Sequence, residues 1–499
     1  MNSIQYEEEI GLKISEYVNK GYFHLNHFFD HEISGIFENS KEVIPNGIFV
    51  AIKGYQSSGI HFIDDAIYHG AKTIIYDEDC NIKEIDGINF IFVKSSKVEL
   101  ARLLKWFYQD YKKPIMIGIT GTNGKTTVSN IVYDFLVKKG KKAIYIGTSK
   151  IKAFYEVETI ESTNNTTPCI CKIYEKLFER EYEYCVMEVS SQGIMEDRVI
   201  GIHFDIVCFT NITQDHLDYH KTMDNYANAK ARLAIGLDEN AVLILNEDMA
   251  YFHLLREISL AKLLTYSVNS FSNNASVLGR LVDRGIDQMK MAIWENKTCF
   301  EISSKLIGDF NLENLLASYL IIQSLHFARK EIVQFYPTFS PVLGRMNVFK
   351  LNNGNKEIYV VIDFAHTPEG VRQVVEYFLK IKTNHLITIM GCGGNRDHEK
   401  RPIMGNIVTK LTDFTYFTED NSRSEKVENI INDICKGAYS KNYTIVYKRK
   451  EAIDLAIKNS EDKDIILLLG KGSEEYIITN TKQSFSDIAY IEKMGGIRC

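Results

Sequence analysis

Apolar residues in this chain fall into short runs bounded by glycine, proline or polar patches, and between the runs they recur at helical spacing. Strands are predicted at 47–52, 72–76 and 89–93, with helices at 61–69 and 98–108, before a polar hinge at 109–114. A second series follows, with strands at 115–120, 143–147, 184–189, 205–210 and 241–246 and helical patterns between them. Short strands with turns are expected over 274–307, and an amphipathic helix over 311–327. Past a boundary near 337–344 comes a third series. Its strands are at 358–363, 385–390, 414–417, 443–447 and 464–469, with helices at 368–381, 402–411, 426–437 and 450–458. Alternation of this kind predicts α/β domains on mostly parallel sheets, with ligands at the strand C-terminal ends. Three such domains in line are expected, at residues 1–110, 111–340 and 341–499.

With 499 residues the chain is too long for one core. Its 45% hydrophobic and 25% charged residues are those of a globular protein in water. A formal net charge of −7 argues against nucleic acid as the main partner. Nine cysteines without a CxxC pair suggest reduced thiols, mostly small core residues. The opening MNSIQYEEEIGL is acidic and lacks the basic-then-apolar pattern of a signal peptide, and no apolar run approaches the ~20 residues that span a bilayer. A cytoplasmic protein without membrane insertion is expected.

The stretch KKPIMIGITGTNGKTTVSNIVY, residues 112–133, points to a chemistry. A short buried strand runs into a turn permitted by Gly118, Gly121 and Gly124, and Lys125-Thr126-Thr127 opens a helix. Strand, glycine loop and helix N-terminus together make a phosphate cradle. Backbone N–H groups and the positive helix end face the anion, a lysine reaches the outer phosphates, and a threonine hydroxyl ligates magnesium. A strict phosphate-loop pattern asks for glycine at position 119, where this chain has Ile119.

More polar residues gather where strands are predicted to end. Glu188 closes the strand in CVMEVSSQ, and a buried carboxylate there calls for a cation. FTNITQDHLDYHKT sets Asn211, Asp215, His216, Asp218 and His220 after the next strand. In the third series DFAHTPEG, GCGGNRDHEKRP, TEDNSRSEK and GKGSEE each follow a strand. Arg396, Arg401, Arg423 and Lys471 gather positive charge where a carboxylate-bearing substrate would sit. On composition alone the same charges also read as exposed loop residues. Lys230, in the helical NYANAKARLA, reads by itself as a lysine on a solvated face.

Taken in order, NSKEVIPNGIFVAIKG, GITGTNGKTT, NTTP, MEVSSQ, FTNITQDHLDYHKTMDNYANAKARL, GDFNLEN, GRM, DFAHTPEGV, GCGGNRDHEKRPIMG, DNSRSE and GKGSEEY resemble the Mur ligase family over essentially the whole chain. These are the ATP-dependent amide-forming enzymes of peptidoglycan synthesis. The likeness is to the branch that extends UDP-N-acetylmuramoyl-L-alanyl-D-glutamate by a diamino acid. It implies a three-domain Mur ligase architecture. An N-terminal domain takes the UDP substrate, a central P-loop domain takes ATP, and a C-terminal Rossmann-like α/β domain takes the amino acid. It also implies ATP and Mg2+, small-molecule substrates, and a monomer. The reaction it implies passes through an acyl phosphate that the incoming amine attacks.

On this resemblance, Gly121, Thr122, Asn123, Gly124, Lys125, Thr126 and Thr127 bind ATP with Asn311, Asn314, Arg345 and Asp363. Thr126 and Glu188 serve one magnesium, and Glu188 with His216 a second. Lys230 matches a family lysine that is carbamylated to help hold that metal, so Lys125, Glu188, His216 and Lys230 form the catalytic set. Ser40, Thr166, Thr167, Ser190, Arg198 and His366 match positions on the muramoyl-dipeptide side. Arg396, Asp420, Asn421, Arg423, Gly470 and Glu474 match the amino-acid site. Asp420-Asn421-Ser422-Arg423 stands where diaminopimelate-adding members read Asp-Asn-Pro-Arg, whose arginine holds the distal carboxylate. A lysine substrate brings no second carboxylate, so meso-diaminopimelate is the expected amino acid. L-lysine or a non-UDP acceptor are the alternatives within the family, and an ATP hydrolase or binding module without ligation is the reading from another class. Asn347 stands in place of the glutamate that usually follows GRM, and Ser473 in place of a histidine in GKGHE.

Overall fold

The computed structural model describes residues 11–19, 28–54, 57–78, 85–148, 150–154, 156–158, 166–269 and 274–499. The opening residues 1–10 and Asn165 of the NTTP motif lie outside them. The chain forms two compact units, one of residues 1–116, 142–185 and 189–203, the other of 117–141, 186–188 and 204–499.

In the first unit the strands Ile36–Phe37, Gly47–Ala51, Ala71–Tyr76 and Asn89–Phe92 pair in chain order, all parallel. Helix Ser96–Phe107 starts where Ser95 Oγ accepts from Val98 N, which satisfies one of its free N-terminal donors. Leu100, Leu103 and Leu104 share one helical face and join Ile48, Val50, Ile75 and Ile91 in a single core. The helix expected at 61–69 divides into a 3-10 turn, Gly59–Phe62, and the α-helix Ile63–Tyr68.

In the second unit the phosphate-loop strand Ile115–Thr120 pairs in parallel with Ile206–Phe209, and that strand with Val242–Asn246. Lys262–Ser267 and Val277–Arg284 continue the parallel order, and Met289–Glu295 and Thr298–Ser304 close the edge as an antiparallel meander. Gly118 lies inside the first of these strands rather than in the turn, and a Cβ there would come within 2.9 Å of the Phe204 ring. The helix expected to be amphipathic runs Asp309–Ser324 and is buried along nearly its whole length. Its polar positions Asn311, Asn314 and Ser318 make internal hydrogen bonds, so the polar stripe faces inward.

The rest of this unit is a sheet in the order Tyr443–Ile445, Phe414–Phe417, Leu386–Met390, Ile465–Leu469, Lys356–Asp363, Asn347–Asn353, Ile497–Arg498. The first five are parallel, and Asn347–Asn353 pairs antiparallel with its neighbour on each side. Helices Pro368–Ile381, Lys400–Leu411 and Val427–Cys435 pack on one face and Arg449–Asn459 and Asp487–Lys493 on the other. Ile465–Leu469 returns to insert between Lys356–Asp363 and Leu386–Met390, so strand order reverses there. A crevice at the strand C-terminal ends is the consequence. The strand Asn347–Asn353 occupies residues that the sequence left just past a boundary.

Among the described residues no helix is long and apolar enough to cross a membrane. The described cysteines are free. Cys185, Cys208 and Cys392 are buried, but Cys299 and Cys499 are exposed, so fewer are core residues than expected.

Candidate active site

Between strand Ile115–Thr120 and helix Lys125–Lys138 the backbone closes into a loop that only glycine allows at two places. Gly121 has φ +146°, and a Cβ there would lie 1.9 Å from Thr210 Oγ1; Gly124 has φ +86°, and a Cβ there would lie 2.4 Å from Asn314 Oδ1. The next strand end pins the loop from outside. Asn123 N donates to Asn211 Oδ1 at 2.9 Å, Thr122 N to Asn211 O at 2.9 Å, and Thr213 N to Thr122 Oγ1 at 2.9 Å. The first-turn N–H groups of the helix, Thr127 included, have no intrahelical acceptors and carry the positive end of its dipole. This is an anion cradle.

Lys125 folds back onto that loop, with Nζ donating to Gly121 O at 2.8 Å and Thr122 O at 2.9 Å. Burial depresses its pKa, against the pull of Glu188 and Asp215. Thr126 Oγ1 donates to Glu188 Oε2 at 3.0 Å, and Glu188 is fully buried. A hydroxyl and a carboxylate so placed are hard oxygen donors of the kind Mg2+ takes beside phosphate oxygens.

Lys230 is the largest departure from reading residues one at a time. It is 1% exposed rather than solvated, with Nζ donating to Gly121 O at 3.0 Å and lying 4.8 Å over the Tyr226 ring. Burial, reinforced by Lys125, holds its pKa well below that of a free lysine. His216 sits in the left-handed region, φ 54°, with Nε2 3.5 Å from Asp215 Oδ2. Burial of the Asp215 carboxyl works against its ionisation, but His216, Lys400 and His366 overcome this and hold its pKa at about 2. Lys400 Nζ stands 3.9 Å from Asp215 Oδ1. Burial, and then Lys400, push His366 down to about 4.

Asn314 Nδ2 donates to Asn311 Oδ1 at 2.7 Å and Asn311 Nδ2 to Ile307 O at 2.6 Å, which aims Asn314 Oδ1 at the phosphate loop. Asp363 accepts from Met346 N and Ala365 N, both at 2.8 Å, and Arg345 stacks 4.6 Å over the Phe364 ring. Further along the crevice Asn421 donates to Glu474 Oε2 at 2.7 Å and accepts from Ile478 N at 2.8 Å. Gly470, φ +105°, leaves room for Asp420, whose Oδ2 would be 2.7 Å from a Cβ.

Of the four cations that the sequence grouped here, Arg401 is committed to carboxylates outside the amino-acid residues and Lys471 to Glu474 among them. Arg401 is fully buried and bidentate on Glu425, both contacts at 2.7 Å, with Asp433 at 3.1 Å. Lys471, also fully buried, holds Glu474 Oε2 at 3.1 Å and Tyr476 O at 2.5 Å. Arg423 instead rests on carbonyls, Gly394 O at 2.8 Å and Asn421 O at 3.3 Å, with burial and the neighbouring Arg396 lowering its pKa.

In the first unit Thr167 and Ser190 are joined through their hydroxyls at 3.2 Å, Ser190 N donates to Thr167 Oγ1 at 2.9 Å, and Arg198 Nη1 donates to Thr167 O at 2.7 Å. Thr166 accepts from Thr148 Oγ1 at 3.2 Å. Ser40 is buried in the 3-10 turn Ser40–Glu42, which Asn39 caps.

This chain matches three family descriptions in series: the Mur ligase family, catalytic domain over residues 32–106, the Mur ligase middle domain over 119–322, and the Mur ligase, glutamate ligase domain over 344–472. It is 37% identical over 483 residues to the UDP-N-acetylmuramoyl-L-alanyl-D-glutamate–2,6-diaminopimelate ligase of Clostridium tetani, covering 94% of this chain and 96% of that protein. The chain belongs to the Mur ligase family. A second relative of the same name, from Phocaeicola vulgatus, is 35% identical over 91% of this chain and 93% of its own length. The solved structure of a ligase so named superposes with a TM-score of 0.69 at 25% identity, covering 97% of this chain and 99% of that one. The three-domain Mur ligase architecture expected from the motifs is thus the architecture of this protein.

Two residues of this Mur ligase's site carry no role in the sequence reading. Tyr226 OH lies 3.1 Å from Thr122 Oγ1 while its ring covers the Lys230 amine. Its position four residues before Lys230, on one helical face, is the signal that would have found it. Lys400, inside the quoted motif GCGGNRDHEKRPIMG, reaches Asp215 across a sequence separation that no local pattern reveals. Conversely, Asp218 is exposed, and Asn211 serves the loop rather than a ligand.

Proposed function

We propose that this protein is an ATP-dependent, ADP-forming ligase that joins meso-diaminopimelate to the D-glutamate carboxylate of UDP-N-acetylmuramoyl-L-alanyl-D-glutamate. The observation that carries the choice of amino acid is Arg423, a cation resting on carbonyls beside Arg396, with Asn421 and Glu474 close by. Guanidinium groups suit the carboxylates of a diamino diacid, and Glu474 and Asp420 suit an ammonium. Full-length relatives named for this reaction support the same reading.

In this reading residues 1–110, 111–340 and 341–499 are the UDP-substrate, ATP and amino-acid domains, a division that the serial family matches favour. The glycine loop and Lys125 hold the outer phosphates, Asn311, Asn314, Arg345 and Asp363 the rest of ATP, and Ser40, Thr166, Thr167, Ser190, Arg198 and His366 the muramoyl dipeptide. The substrate carboxylate attacks the γ-phosphorus, ADP leaves, and an acyl phosphate forms. The free amine then attacks the acyl carbon, and inorganic phosphate leaves from the tetrahedral adduct as the amide forms. Lys125 and Arg345 contribute position and charge neutralisation, which is most of what phosphoryl transfer needs. Thr126 and Glu188 would hold one Mg2+ and Glu188 with His216 a second, which would neutralise phosphate charge. Lys230, buried beside Gly121 O, matches the family lysine that is carbamylated, and its carbamate would place a negative group beside the metal site.

The decisive assay is phosphate release with ATP, Mg2+ and UDP-N-acetylmuramoyl-L-Ala-D-Glu while meso-diaminopimelate, L-lysine and L-ornithine are supplied in turn. Release with diaminopimelate alone is expected. Release with lysine would keep the ligase and refute the role of Arg423; release with ATP alone would make the protein a hydrolase.

A further inference from the structure

Asn347, 1% exposed at the start of strand Asn347–Asn353, spends its whole side chain on backbone. Its Oδ1 accepts from Gly344 N at 2.6 Å, and its Nδ2 donates to Val342 O and Arg345 O, each at 3.1 Å. A primary amide supplies this combination of one acceptor and two donors; a carboxylate or hydroxyl does not.

The segment so tied has a substrate residue on each side. Toward the nucleotide, it carries Arg345, stacked on Phe364, and Met346 N, which donates to Asp363 Oδ2 at 2.8 Å. Toward the amino acid, it presses on the loop after strand Ile465–Leu469. Gly344 has φ +75°, and a Cβ there would lie 2.0 Å from Ser473 N and 2.7 Å from Gly472 Cα. A Cβ on Gly472 would in turn meet Gly344 O at 2.7 Å and Phe364 Cβ at 2.8 Å. Two residues on, Glu474 holds Asn421 and Lys471. Residues 344, 364 and 472 are therefore locked together with no room for a side chain at either glycine, and one amide holds the segment that wedges them.

We propose that Asn347 is a positioning residue that couples the nucleotide and amino-acid sites. By fixing 342–346 it sets Arg345 and Asp363 on one side and the 470–474 loop on the other, so both substrates are read by one rigid wedge. Without it, Gly344 N and Arg345 O each lose a partner and Val342 O keeps only Arg345 N, so the segment shifts to satisfy them. Both sites loosen together. The proposal rests on the ligase reading above.

The test uses the full-length protein as wild type, Asn347→Ala, Asn347→Asp and the core control Ile453→Val, with ADP titrated by calorimetry and turnover followed at varied meso-diaminopimelate. Asn347→Ala is expected to weaken ADP binding and raise the KM for diaminopimelate together, each by about tenfold, while the KM for the UDP-muramoyl dipeptide stays within about twofold. Asn347→Asp keeps the acceptor for Gly344 N but sets a carboxylate oxygen against Val342 O and Arg345 O, so it is expected to impair both constants at least as much. Ile453→Val lowers the Tm without moving either constant. If Asn347→Ala does not fold, Asn347→Asp carries the same comparison. Constants within about twofold of wild type, or a change in only one of them, would overturn the coupling. A wild type that turns over no amino acid would overturn the ligase reading and the amino-acid half with it, and the ADP titration would still decide the nucleotide half.

Discussion

The phosphate loop and the C-terminal crevice both bury cations, but they give them different partners. Lys125 and Lys230 lean on the carbonyls of Gly121 and Thr122. Arg401 is clamped by Glu425 and Asp433, and Arg449 by Asp487 with both side chains fully buried. A carbonyl is a neutral partner that a phosphate or carboxylate displaces at little cost. A carboxylate paired in a low-dielectric interior is not displaced, because breaking the pair strands a charge. Burial therefore does not mark a functional cation; the nature of its partner does. By that criterion Arg423, resting on Gly394 O and Asn421 O, belongs with the phosphate-loop lysines although it sits among the clamped arginines.

The sharpest break of this contrast is Lys125→Ala. It is expected to lower the ligation rate by at least about a hundredfold while leaving the Tm near that of wild type, since only carbonyl contacts are lost. Arg401→Met is its converse. Leaving Glu425 and Asp433 without their guanidinium is expected to cost about 3 kcal/mol of stability in denaturant unfolding. The kinetic constants of whatever remains folded should change little. Arg423→Met should raise the KM for diaminopimelate by about tenfold, with the KM for ATP unchanged and the fold intact. An equal effect on both constants would place Arg423 with the scaffold instead.

The smallest effect at neutral pH belongs to His366. Burial and Lys400 hold its pKa at about 4, below the ordinary 6.5, so as pH falls the unfolded chain binds the proton first. Its contribution is complete above pH 6.5 and is lost as pH falls towards 4. His366→Asn should match wild type in Tm at neutral pH and show a shallower decline over that acid window.

Much of the fold was legible. The predicted helix at 368–381 is the observed Pro368–Ile381, and the strands at 143–147 and 414–417 are Ala143–Gly147 and Phe414–Phe417. Such segments announce themselves because strand and helix periods and their capping residues are local. Illegible elements had a non-local cause. The strand Asn347–Asn353 exists through its pairing with Lys356–Asp363, and the polar stripe of helix Asp309–Ser324 looked like a solvent face because sequence does not say what covers it. The same holds at the site. The glycine loop was visible at Gly121 and Gly124, but a lysine such as Lys230 reads as solvated until the chain is closed.

The sequence alone determined where strands end, which loops carry glycine, carboxylate and guanidinium, and which family the ordered motifs resemble. All of these follow from residue type and near-neighbour spacing. Tertiary structure alone decided that Lys230 meets Gly121 O, 109 residues away, and that Arg401 belongs to Glu425 while Arg423 is left to carbonyls. Partner choice among buried charges depends on the whole three-dimensional arrangement of dielectric and acceptors, and no window of sequence contains it.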